Sequence, residues 1–208
     1  MVIREEEEML FNKLFESALM TQDRTIQYNL SIPKYKFLQY LSDNKKVLFH
    51  GSNNPHIQTF EPRVQTLFDG KIDKAVFATK DPIWSTFFAV LNKKSLIGSI
   101  RNGSLTANRK QKYHFYSLTK QTFNNKPWTN GTVYLVPEQS FTQISNGSFQ
   151  FDEWICRETV MPLVKMEVEP EDFYFINQVS THRESESIIK SWFLYKWRLP
   201  INGKQNVD

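Results

Sequence analysis

Three short stretches of the 208-residue chain carry residue types that can do chemistry. In "VLFHGS", residues 47 to 52, an apolar run ends in His50, Gly51 and Ser52, which present an imidazole, a bare backbone and a hydroxyl in succession. Such a trio suits a ligand that needs polar contacts and close backbone approach, the alternative being a turn or core histidine. The second stretch, "VFATKDPIWSTFF", puts Phe77 on a strand and Phe88 on the helix that follows, eleven residues later. A strand, turn and helix can face two such rings across a gap, where a flat heteroaromatic stacks for roughly 1–3 kcal/mol per ring. The alternative is that both rings are core. In the third, "QFDEWICRE", strand alternation puts Glu153, Ile155 and Arg157 on one face and Asp152, Trp154 and Cys156 on the other. Glu153 is then a carboxylate beside a tryptophan in mid-strand, unless it is a charge on an edge strand. By the same alternation Glu158 faces away from Glu153.

Other chemistry finds no support. His50, His56, His114 and His182 have no neighbours at metal-ligand spacing, and the single cysteine, Cys156, anchors no zinc site, so no metal is expected. Cys156 reads as an inert strand residue. There is no G-x-S-x-G elbow, and a chain with 7 glycines has no glycine-rich phosphate loop. The acidic runs at residues 5 to 8 and 167 to 172 read as solvated faces. Net charge is only +4, yet residues 82 to 137 contain no acid and carry Lys93, Lys94, Arg101, Arg109, Lys110, Lys112, Lys120 and Lys126. That stretch predicts either contact with a polyanion or diphosphate, or a solvated basic face.

The elements that must position these residues follow from periodicity. Residues 4 to 19 form a helix with acids in its first turn and Met9, Leu10, Phe11 and Leu14 at helical spacing. A second helix starts at Pro33 and ends near Asn44. From residue 46 short β-rich runs take over: "KVLFH", "KAVFAT", "SLIGSIRN", "KYHFYSL", "GTVYLV", "SFQFDEWICRE", "VMPLVKMEV" and "FYFIN". Between them "DPIWSTFFAVLN" is a helix with Asp81 as N-cap and Pro82 at its first position. The closing "THRESESIIKSWFLYKW" opens on a capping box, Thr181 to Glu184, and shows an apolar face of Ile188, Ile189, Trp192 and Phe193; the tail beyond Pro200 is polar.

These elements predict an α+β fold of mostly antiparallel sheets: a helical N-terminal extension (1–45), a core (46–180), and a C-terminal helix and tail (181–208). Hydrophobic residues make up 40% of the chain, enough for a large core, and no run is long enough to span a membrane. The acidic start is unlike a secretory signal, so a cytoplasmic protein without membrane attachment is expected.

Taken together, the three stretches resemble the ADP-ribosyltransferase superfamily, in its diphtheria-toxin and poly(ADP-ribose) polymerase branch. "FHGS" matches the His-Gly-Ser/Thr element, "FATKDPIWSTFF" the strand and helix that carry two aromatics eleven apart, and "DEWICRE" the Glu-[Tyr/Trp]-[Ile/Val] strand. The resemblance covers about residues 46 to 178 and implies split antiparallel sheets with NAD⁺ as substrate in the cleft between them. It implies that Gly51 holds the nicotinamide amide, Phe77 and Phe88 stack on its ring, and His50 and Ser52 bond ribose hydroxyls. Glu153 would hold the 2′-hydroxyl of the nicotinamide ribose and stabilise an oxocarbenium-like transition state, and Arg63 in "FEPR" would meet the diphosphate. Phenylalanine at 77 departs from that branch's tyrosine, keeping the π face and losing the phenol's hydrogen bond. The implied activity is NAD-dependent mono-ADP-ribosyl transfer to an acceptor of unknown class: protein, nucleic acid or small molecule. Alternatives are an NAD- or ADP-ribose-binding pseudoenzyme, an RNA 2′-phosphotransferase, against which Glu153 counts, and a non-enzymatic interaction protein.

Overall fold

The computed structural model describes residues 3–66, 71–107, 111–144 and 150–199. Arg109, Lys110 and the tail from Pro200 lie outside the described residues, as do the side chains of Ile188, Ile189 and Trp192.

Two helices, α1 (Glu5–Met20) and α2 (Lys34–Asn44), precede the first strand. In α1 the inward face is Phe11, Phe15 and Ala18, whereas Met9 and Leu10 are 66% and 43% exposed. The buried stripe is therefore rotated from the Met9 and Leu10 side towards Phe15, because the largest rings fill the space above α2. Phe11 meets Phe37 edge-on at 5.3 Å between centroids. Phe11, Phe15, Phe37 and Leu41 share one core with Val47, Phe49, Phe87 and Val164, so the helices pack directly on the sheets.

Eleven strands make three sheets among the described residues. In the first, β1 (Val47–Ser52) and β10 (Val164–Val168) flank β6 (Gly131–Pro137), all antiparallel. The second runs β11 (Ser180–His182), β5 (Gln111–Thr119), β4 (Ile100–Ala107) and β8 (Gln150–Phe151), antiparallel except for β11 on β5. The third runs β2 (Arg63–Thr66), β3 (Ile72–Ala78), β9 (Trp154–Cys156) and β7 (Thr142–Gln143), and is antiparallel. The first six residues of β6 are fully buried, which accounts for its unbroken apolar run. No helix among the described residues is long and apolar enough to cross a membrane.

Helix α3 (Pro82–Val90) lies on β1 and β6. Its start is set by Asp81, whose side chain accepts from the Ile83 and Trp84 amides, with Pro82 in the first turn. Contact with the sheet needs two glycines. A Cβ on Gly51 would lie 2.0 Å from the Ser85 carbonyl oxygen, and one on Gly131 would lie 1.8 Å from that of Ala89. The first and third sheets touch at one bridge, where Phe49 and Thr79 exchange backbone hydrogen bonds of 2.8 and 3.0 Å. Pairing between β1 and β3 stops there, leaving a cleft beside His50 and Gly51.

Some elements differ from expectation. "FYFIN" is not a strand but a turn that runs into a 3₁₀ segment at Ile176: Phe173 is apolar because it packs on Phe87 and Tyr116, at 5.5 and 4.9 Å between centroids. The capping-box residues do not start a helix. Ser180–His182 pair with β5, Glu184 accepts from the Ser99 amide, and helix α5 begins at Ile188 and ends at Leu194. "SFQFDEWICRE" is two short strands with a bend at Asp152 and Glu153, and "SLIGSIRN" pairs only from Ile100. Strands β2, β7 and β11 and the short helix α4 (Lys120–Asn124) were not foreseen.

Candidate active site

The cleft is a cavity of about 310 Å³, at the lower end of the usual ~300–1,000 Å³ range for ligand sites. His50 and Gly51 of β1, Phe77 of β3, Ser85 and Phe88 of α3, and Glu153 before β9 all line it. Residues from three separate stretches, spanning more than a hundred positions, thus share one hollow.

His50 is held on two sides. Its Nδ1–H donates to the Phe77 carbonyl at 2.7 Å, and its ring packs on Phe60 at 4.5 Å between centroids. Phe60 in turn packs edge-on against Tyr134, whose hydroxyl ties down the loop after β1 through Asn54 and Ile57. Burial pushes the His50 pKa down to about 4; the Phe77 carbonyl resists this, while the charges of Lys93 and Arg63 add to it. His50 is therefore a neutral imidazole at physiological pH, protonated on Nδ1, with Nε2 as its acceptor.

Gly51 has two sides. Its missing side chain admits α3, not a ligand. What faces the cleft is its backbone edge. Phe49 spends its N–H and C=O on Thr79, and alternation along an antiparallel strand turns those of Gly51 to the same side, beyond the last bridge. Next to it stands Ser85, which was not singled out from sequence. It is 1% exposed, and its Oγ has no hydrogen-bond partner among the described residues. A hydroxyl in that state costs about 1–3 kcal/mol unless something supplies the bond. One donor, one acceptor and one hydroxyl thus lie together at the cavity wall, the set that a carboxamide requires.

Of the other expected residues, Glu153 lines the cavity, while Glu158 is exposed and its carbonyl accepts from Cys156 Sγ. Cys156 itself is buried in β9. Ser52 is not among the lining residues; its Oγ accepts from the Asn54 amide and closes a turn. Arg63 is exposed on β2, two residues from the lining Gln65 and so on the same strand face. Lys93, Trp84 and Asn102 also line the wall, with the Trp84 indole Nε1–H donating to Asn102 Oδ1 at 2.6 Å. Lys93 sits at the mouth, and its pKa is lowered by desolvation first and by Arg63 second.

Behind the wall is a polar network. Asp81 Oδ2 accepts from Ser104 at 2.5 Å and from His114 Nε2 at 2.6 Å, with Lys112 Nζ at 3.8 Å. Lys112 reaches on to Asp152 Oδ2 at 3.2 Å, and Asp152 Oδ1 accepts from the Lys80 amide and the Trp154 indole, each at 3.0 Å. Burial alone would raise the Asp81 carboxyl; His114, Lys112 and Ser104 outweigh it and hold its pKa well below the usual carboxylate range. The network ties the start of α3 to the residue before Glu153. It also alters the picture of a basic face, since Lys112 is paired here and Arg101 bonds the Ser187, Glu184 and Glu186 carbonyls and the Ser191 hydroxyl.

Set against protein-family models, curated proteins and solved structures, the chain matches none of them.

Proposed function

We propose that the cavity binds the nicotinamide-ribose end of NAD⁺ and that the protein is a mono-ADP-ribosyltransferase. The observation that carries this reading is the convergence of His50, Gly51, Phe77, Phe88 and Glu153 on one hollow of about 310 Å³. The carboxamide is held by the Gly51 N–H and C=O and by Ser85 Oγ, which satisfies the buried hydroxyl. Phe77 and Phe88 offer the pyridinium ring two π faces. His50 Nε2 accepts from a ribose hydroxyl, and Glu153 accepts from the 2′-hydroxyl.

Reaction breaks the bond between ribose C1′ and the ring nitrogen. The electron pair leaves with nicotinamide, which becomes neutral, while positive charge spreads over C1′ and the ring oxygen. The Glu153 carboxylate stabilises this charge as it forms, an effect worth about 10²–10³ in rate for one fixed group. An acceptor then bonds to C1′ through a lone pair and releases its proton to solvent water.

A second reading, NAD⁺ binding without turnover, is favoured by Phe77, which supplies a ring but no phenol hydroxyl at the cavity. Incubation with nicotinamide-labelled NAD⁺ separates the two. Release by the wild type, lost in Glu153→Gln and His50→Ala, supports the transferase; binding with no release by the wild type selects the second reading; absence of both refutes each.

A further inference from the structure

Glu153 stands where the chain changes sheets. Phe151 ends β8, which pairs with β4 of the second sheet, and Trp154 begins β9, which pairs with β3 of the third. Residues 152 and 153 belong to neither strand, so pleating does not aim the Glu153 side chain at the cavity. Its direction comes from whatever holds those two residues. The Asp152 N–H donates to the Ser104 carbonyl of β4 at 3.1 Å, and the Glu153 carbonyl accepts from the Ile144 amide at 2.9 Å. Asp152 is 6% exposed, and its carboxylate reaches both sheets. Oδ1 accepts from the Trp154 indole and from the amide of Lys80, the residue after Thr79, whose bridge to Phe49 closes the cleft beside His50. Oδ2 accepts from Lys112 of β5 at 3.2 Å, and the same ammonium lies 3.8 Å from Asp81 at the start of α3. Burial of a carboxylate is costly unless it is paired and hydrogen-bonded, so these bonds fix Asp152, and with it the neighbouring Glu153, in one place.

We propose that Asp152 is the positioning residue for Glu153 and that Lys112 locks it: the pair holds the carboxylate that meets the ribose in one orientation before substrate arrives. The inference rests on the transferase reading for its effect on rate. Neither Asp152 nor Lys112 lines the cavity. Asp152 acts through the backbone it shares with Glu153. Its loss should therefore slow bond breaking and spare ground-state binding, which uses Gly51, Ser85 and the two phenyl rings.

The test combines ¹⁵N relaxation of the full chain with nicotinamide release from labelled NAD⁺, for Asp152→Ala, Lys112→Gln and Lys112→Arg in the wild-type and Glu153→Gln backgrounds. In the wild type the Glu153 amide should have an order parameter near the ~0.85 of rigid backbone, falling towards ~0.6 in Asp152→Ala, part of the way in Lys112→Gln, and restored in Lys112→Arg. Release should fall about 10²-fold in kcat for Asp152→Ala, as a displacement of about 1 Å implies, with KM changed less than about twofold. In the Glu153→Gln background the same substitution should cost nothing more, since the group it positions is already gone. Lys112→Gln, at a side chain 40% exposed, carries the test if Asp152→Ala does not fold. An order parameter unmoved in the folded variants, or a further loss of rate in the Glu153→Gln background, overturns the proposal. An order parameter that falls as expected while the wild type releases no nicotinamide supports the hold on Glu153 and refutes the transferase reading alone.

Discussion

Helix α3 has polar chemistry at both ends of its first turns, and the two regions it serves are opposites. At its N-terminus, Asp81 sits in a network where both carboxylate oxygens have partners: two backbone amides on one, and Ser104 and His114 on the other. One turn later, Ser85 lines the cavity, and its buried Oγ has no hydrogen-bond partner among the described residues. A satisfied buried network holds a fold together. Donors, acceptors and charges that converge without partners spend stability on something else, and a binding site is where such groups cluster. The contrast separates scaffold from site within a few residues.

It can be broken most forcefully at Asp81. Replacement by alanine removes the α3 cap and strands His114 and Ser104, so unfolding in denaturant should show a loss of about 3–5 kcal/mol. A loss below about 1 kcal/mol would mean that the network is not scaffold. Acid should act in the same direction. The Asp81 pKa is lowered in the folded state, so its contribution is complete above the unfolded carboxyl value and disappears as pH falls through the folded one.

His50 gives a smaller effect in a different pH window. Its folded pKa of about 4 lies below the unfolded value of about 6.5, so between these values the unfolded chain binds more protons. Stability should therefore be whole above pH 6.5, decline as pH falls to 4, and level off below that as far as this group is concerned. His50→Gln should flatten this slope, as seen in midpoints of denaturant unfolding across the window; an unaltered slope would place the titration elsewhere.

The smallest expected change is the most diagnostic of a site. Ser85→Ala removes a hydroxyl that has no bond to lose, so stability should stay within about 0.5 kcal/mol or rise. Nicotinamide affinity should nevertheless fall several-fold, by the worth of one hydrogen bond. Calorimetry on the variant reads both, and a large loss of stability would assign Ser85 to the scaffold.

Which parts of this were legible in the sequence follows from the range of the forces involved. His50, Phe77 and Phe88 stand on elements with clear periodicity; Glu153 and Glu158 flank the three-residue strand β9 instead of standing on it, so alternation does not account for where they lie. Asp81 could be read as an N-cap because its partners are two and three residues away. Its role in the network could not, since His114 is 33 positions distant. Ser85 was hidden for a similar reason: it reads as one polar residue in an apolar helix until Gly51 is known to sit against it. Lys93 drew notice only as part of a basic run, in which Arg101 and Lys112 prove to be internally bonded. Strands β7 and β11, of two and three residues, are too short to have a period of their own and exist through their partners. "FYFIN" misled because rings buried by packing and rings alternating on a strand look alike when short.

Two indoles report on the two regions. Trp84 lines the cavity and donates to Asn102, while Trp154 is bonded to Asp152 in the network. With the indole N–H resonances assigned by Trp84→Phe and Trp154→Phe, titration of the ¹⁵N-labelled chain with NAD⁺ should move the Trp84 signal saturably and shift that of Trp154 far less. A Trp84 resonance that stays in place as NAD⁺ is added would contradict the account.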